Sequence, residues 1–174
     1  MAICGVGGLY RRDQIYAAAK QFMPQYLTIQ RTTDRATLRR WMLAPKTIAG
    51  VTIGLEPMSA AEIEQRFVDA ISNSSNVFWL VKRDGDERGV IMMRPIPVGW
   101  EPHLCLATRH PDTREVMRKL FRRVSGTTIV LKFCVMHARM ESLANDLGFG
   151  PALMSLSDAP LRASAPWCVR MLSV

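Results

Sequence analysis

A chain of 174 residues with 48% hydrophobic and 22% charged side chains has the material for one domain with a real core, which excludes wholesale disorder. No run approaches the roughly 18 apolar residues of a membrane span, and the N-terminus lacks the basic leader of a secretory signal and the Met-Gly of myristoylation. The expectation is a soluble chain made in a cytosol, without a membrane anchor.

The net charge of +8 is uneven, with +6 inside residues 1–50 and +2 over the remainder. Such an excess draws polyanions, whether nucleic acid, acidic protein surfaces or phosphorylated cofactors. Cys4, Cys105, Cys134 and Cys168 are far apart and form no C-x-x-C pair, so they read as structural thiols and no metal site is expected.

In chain order, residues 9–23 read as an alanine-rich helix ended by Pro24. Residues 26–31 (YLTIQR) form a short first strand, and residues 34–43 a second helix capped by Thr33 or Asp34. Within it, Arg39, Arg40 and Trp41 beside Arg35 mix charge with an aromatic, although Trp41 with Leu38 and Met42 also reads as a core face. Residues 44–57 hold two prolines and two glycines and read as loop, with a short strand at 48–53. Ser59 and Glu62 have capping-box spacing, and Ile63, Phe67, Val68 and Ile71 follow as an apolar stripe at helical period. Residues 77–81 and 89–93 are apolar runs about a turn at Asp84-Gly85, an antiparallel hairpin ended by Pro95 and Pro97. Residues 103–108 are another strand. Residues 112–125 are a helix capped by Asp112 or Thr113, with Val116, Leu120, Phe121 and Val124 inward. Two last strands lie near 152–156 and 167–172.

Residues 127–149 (TTIVLKFCVMHARMESLANDLGF) carry the clearest signal. A β-branched apolar run buried on both faces leads directly into an amphipathic helix, the pattern of a parallel strand in an α/β sheet. Leu147-Gly148-Phe149 supplies a glycine for positive φ at the helix end and an aromatic to cover it. This unit, with the element order around it, resembles the C-terminal half of the GNAT superfamily of acyl-CoA N-acyltransferases. The resemblance spans residues 59–174 and is fainter over 1–58, a basic and partly helical N-terminal part of the same single domain. It implies an α/β fold: a mixed twisted sheet of about six or seven strands with helices on both faces. The strands at 103–108 and 127–136 are then parallel and splay apart.

The same resemblance implies a cofactor pyrophosphate on backbone N–H groups at the helix start after residue 108, reached through a loop of the form Q/R-x-x-G-x-G/A. The matching stretch is Arg109-His110-Pro111-Asp112-Thr113-Arg114. Arg109 fits the first position, but Asp112 and Arg114 stand where the glycines belong. Either Arg109, His110, Thr113 and Arg114 hold phosphate another way, or Asp112 caps the helix and the cofactor site is gone. The tyrosine that the family places four residues before the glycine of LGF is Ala144 here. An asparagine near the end of the preceding strand is His137, a proton carrier or a helix-capping residue. Glu101 and His103 are the candidate general bases.

Two function classes follow. One is a GNAT-like module without catalysis, with no cofactor expected, working as a structural or binding component of a larger assembly such as a phage particle. Its partner would be an assembly protein or a polyanion such as nucleic acid, met by the basic helix stripe Arg114, Arg118, Lys119, Arg122 and Arg123. The other is a divergent N-acetyltransferase moving an acetyl group from acetyl-CoA to an amine.

Overall fold

The computed structural model describes residues 26–53, 55–107, 110–154 and 165–174. The expected helix over 9–23, Cys4 and Arg109 lie outside them. Seven strands form one mixed sheet in the order β1-β2-β3-β4-β5-β7-β6. They are β1 (Leu27–Arg31), β2 (Val77–Arg83), β3 (Asp86–Ile96), β4 (Gly99–Leu106), β5 (Thr128–Cys134), β6 (Leu153–Met154) and β7 (Trp167–Ser173). The described helices are α1 (Arg35–Met42), α2 (Pro45–Val51), α3 (Ala60–Ser72), α4 (His110–Phe121) and α5 (Ala138–Leu147). Every strand pair is antiparallel except β4 with β5.

Helices cover both faces of the sheet, as expected. One face packs Trp79, Val81, Ile91, Met93, Ile129, Leu131 and Phe133 against Val116, Met117 and Leu120 of α4 and Ala144 of α5. The other packs Phe78, Leu80, Val90, Met92 and Cys105 against Leu38 of α1 and Phe67 of α3. The split follows from strand alternation, since successive residues of one strand point to opposite faces.

Local chemistry sets the element ends. Asp34 caps α1 by accepting from the Ala36 and Thr37 amides, and Trp41 packs on the second cluster with Met42. Ser59 and Glu62 form the reciprocal capping box of α3: the Ser59 amide donates to Glu62 Oε2 at 2.8 Å and the Glu62 amide to Ser59 Oγ at 3.2 Å. On α3, Phe67 is buried and Ile71 packs beside it, whereas Val68 faces outward. Asp84 and Gly85 both take positive φ, 52° and 87°, the two-residue hairpin turn that joins β2 to β3. Gly148 ends α5 in the left-handed region, and the Phe149 amide donates back to Ala144 O at 3.0 Å. Phe149 then meets Phe121 edge-on at 6.0 Å.

Three expectations are corrected. Residues 45–51 are helix rather than loop and strand, because Pro45 sits in the first turn, where its missing N–H costs nothing. β3 continues through Pro95 and stops at Ile96, so of the two prolines only Pro97 ends it. α4 begins at His110, so Asp112 and Thr113 lie inside its first turn and neither is its cap.

Candidate functional site

Among the described residues β4 and β5 are joined only at Trp100↔Ile129, near their N-terminal ends. Beyond that pair they part, as expected, and the ends of α4 and α5 that follow them lie at the open side. The Ala107 amide donates to Arg88 O at 2.8 Å. Because backbone groups alternate sides along an antiparallel ladder, the odd-numbered residues of β4 bond β3. Trp100, Pro102, Leu104 and Leu106 therefore turn their backbone toward β5. Likewise the Val174 amide donates to Thr127 O at 3.0 Å, so Thr128, Val130, Lys132 and Cys134 turn theirs toward β4. The strand edges facing the splay thus carry backbone donors from both sides, except at Pro102, which has none.

Glu101 and His103 follow immediately after the last joined residue and share the α1/α3 face. Glu101 is 5% exposed and accepts from Arg94 Nη2 at 2.7 Å, the residue directly across on β3. His103 Nε2 lies 3.4 Å from Glu101 Oε1, buried and without a hydrogen bond of its own. Burial, seconded by the charge of Arg94, lowers the imidazole pKa against the opposing pull of Glu101. The pair sets the buried carboxyl group of Glu101 beside an imidazole whose neutral form burial favours. His137 heads α5 with no side-chain cap bond, and its pKa is also lowered by burial.

At the first turn of α4, Asp112 is ion-paired with Arg83 from the end of β2, each about one-fifth exposed. Hydrogen bonding to Asp112 raises the Arg83 pKa further. His110, Thr113 and Arg114 share this end of the helix, and Arg114 reaches Asp146 of α5 at 3.6 Å. Ala144, the position that corresponds to the family's tyrosine, is fully buried in the main core.

The basic stripe on α4 is largely spoken for within the fold. Arg118 donates to Asp146 O at 3.5 Å, and Lys119 donates to Leu27 O at 2.7 Å while pairing with Glu115 at 3.2 Å. Arg123 lies over the Trp79 ring, 5.2 Å from its centroid. Arg122 is exposed. Sequence reasoning missed three partners: Arg83 for Asp112, Arg94 for Glu101, and Arg170. Buried Arg170 on β7 binds Glu141 Oε1 at 3.0 Å, Asn145 Oδ1 at 2.6 Å and Gly150 O at 2.8 Å, which ties down the turn after α5. Its place inside an apolar strand was the available signal.

A parallel pair that splays within an otherwise antiparallel sheet, flanked by α4 and α5, defines the GNAT-like acetyltransferase fold. Comparison with solved structures agrees. A probable GNAT-family acetyltransferase from Chromobacterium violaceum aligns over 87% of this chain and 84% of its own, with a TM-score of 0.61 at 13% identity. A spermidine N-acetyltransferase from Vibrio cholerae, solved with CoA and spermine, aligns over 84% and 94%, with a TM-score of 0.59 at 14% identity. A putative GNAT-family acetyltransferase from Desulfovibrio desulfuricans aligns over 85% and 99%, with a TM-score of 0.61 at 12% identity. No family model and no curated protein matches the sequence. Among the described residues no helix is long and apolar enough to cross a membrane, and no cluster of His, Cys, Asp and Glu is arranged to hold a metal.

Proposed function

We propose that this chain is a GNAT-fold module that does not use acyl-CoA and serves as a structural or binding component of a larger assembly, a phage particle being one such setting. The Asp112–Arg83 pair carries the reading. A helix start binds phosphate through free amides and a partial positive charge. In α4 a carboxylate already occupies that first turn, held there by an arginine. It repels a pyrophosphate and answers the helix charge itself. Pro111 removes one of the amides, Pro102 removes a donor facing the splay, and Ala144 offers no phenol to protonate a leaving thiolate. The residues present do not fit coenzyme A. The partner is then a protein of the assembly or a polyanion.

The test is ligand-induced stabilisation. A ligand at about 100 times its Kd raises stability by about 2.7 kcal/mol, a visible rise in Tm. Acetyl-CoA is expected to leave the Tm unchanged, and mass spectrometry of the purified protein to find no bound CoA. A rise in Tm, or acetylation of any amine in a panel that includes spermine, overturns the reading.

One observation favours a second reading, a divergent N-acetyltransferase moving acetyl from acetyl-CoA to an amine. Buried Glu101 and His103, whose side chain is one-third exposed, stand together at the vertex of the splay. On that reading Glu101→Gln abolishes turnover while leaving the fold intact.

A further inference from the structure

We infer that the far end of α4, with the neighbouring end of β1, is a docking surface for the phosphate backbone of nucleic acid. This surface lies at the opposite end of α4 from Asp112, so it holds whichever reading of the splay is correct. From Val116 to Thr127 the sequence has four Lys/Arg, namely Arg118, Lys119, Arg122 and Arg123, and no Asp or Glu. The fold adds Arg31, the cross-strand neighbour of Trp79 on β1. The Arg31 guanidinium lies 5.4 Å from the Trp79 ring centroid and that of Arg123 5.2 Å, so the two are within about 11 Å of one another. Arg122 stands next to Arg123, and Arg31, Arg122 and Arg123 are all exposed. None of the three has a carboxylate partner among the described residues, unlike Arg39, Arg40, Arg83 and Arg94.

The chemistry selects the partner. Guanidinium forks match phosphate oxygens, and stacking on an indole holds two of them in place before any ligand arrives. Trp79 is 7% exposed, so it supports the arginines and offers no platform for a base. Recognition is therefore of backbone charge, indifferent to sequence. A protein interface would need an apolar or aromatic anchor at its centre. Of the large exposed apolar side chains, Tyr26 adjoins the opposite end of β1 from Arg31, and Val51, Val68, Val98, Val135, Met136, Leu153 and Met171 lie off α4 and β1.

The experiment measures fluorescence anisotropy of a labelled mixed-sequence DNA duplex with the full-length protein, from about 50 mM to about 200 mM salt. The triple variant Arg31→Gln/Arg122→Gln/Arg123→Gln is compared with Arg35→Gln/Arg66→Gln/Arg139→Gln, which removes equal charge from other surfaces. Losing three phosphate contacts at about 0.9 each should flatten the slope of log affinity against log salt by about 2.7 in the first triple and leave it unchanged in the second. Should the first triple melt early, Arg122→Gln alone carries the test, with an expected flattening of about 0.9. Three outcomes overturn the proposal: no binding by the wild type at the lowest salt, equal losses in both triples, or binding of polyglutamate as tight as that of DNA.

Discussion

His103 shows how one buried atom sets a pH response. Its Nε2 is shut away from water with no hydrogen bond in the folded state, so burial opposes protonation there even with Glu101 Oε1 at 3.4 Å. The folded pKa is lowered from 6.5, chiefly by burial, while the unfolded chain keeps the ordinary value. Below that value the unfolded state binds more protons, so stability is lost as pH falls through 6.5. His137, lowered by burial as well, adds in the same direction. His103→Gln removes one titrating site and should reduce the fall in urea midpoint between pH 7 and pH 5 relative to wild type. An identical fall in both proteins would mean that the imidazole is not the group responsible.

At the scale of elements, legibility followed amphipathic signal and local capping. α5 and β5 were readable because a two-sided apolar run and a helical period meet at Gly148, which takes the positive φ its position demanded. α3 was readable because Ser59 and Glu62 announce its start. Replacing Ser59 by alanine removes the hydroxyl that accepts from the Glu62 amide, while the backbone amide of residue 59 can still donate to Glu62, and should cost about 1 kcal/mol in chemical denaturation, with Ser59→Asp restoring most of it. α2 was not readable, because its seven residues bury no side chain and so impose no periodicity. The start of α4 was misplaced for a related reason: Asp112 has the chemistry of a cap, but Pro111 tolerates the first turn, and the helix reaches back to His110. Element order nominated Glu101, His103 and the Arg109–Arg114 stretch as candidates, whereas Arg83 and Arg94, which pair with Asp112 and Glu101, were invisible. Their roles depend on strand register and on packing between distant segments, which a local pattern does not encode.

For the molecule as a whole, the sheet is two antiparallel ladders, β1 to β4 and β5 to β7, joined through Trp100↔Ile129 and through the helices packed across the seam. Gly99 sits at that seam with φ of 149°, and a Cβ there would lie 1.9 Å from Thr128 O. The contact is with backbone, so no side-chain rotation relieves it, and β4 must move off β5 at their one point of pairing. Gly85 makes the natural control, since its φ is also positive at 87° but nothing lies within 4 Å of a Cβ. Gly85→Ala should cost about 1 kcal/mol, the strain of a left-handed alanine alone. Gly99→Ala should cost about 3 kcal/mol or more, because strain and clash act together at the join between the ladders. Urea denaturation of the two variants separates these terms: equal losses would mean that the seam yields freely and that α4 and α5, rather than the strand pair, hold the two ladders together.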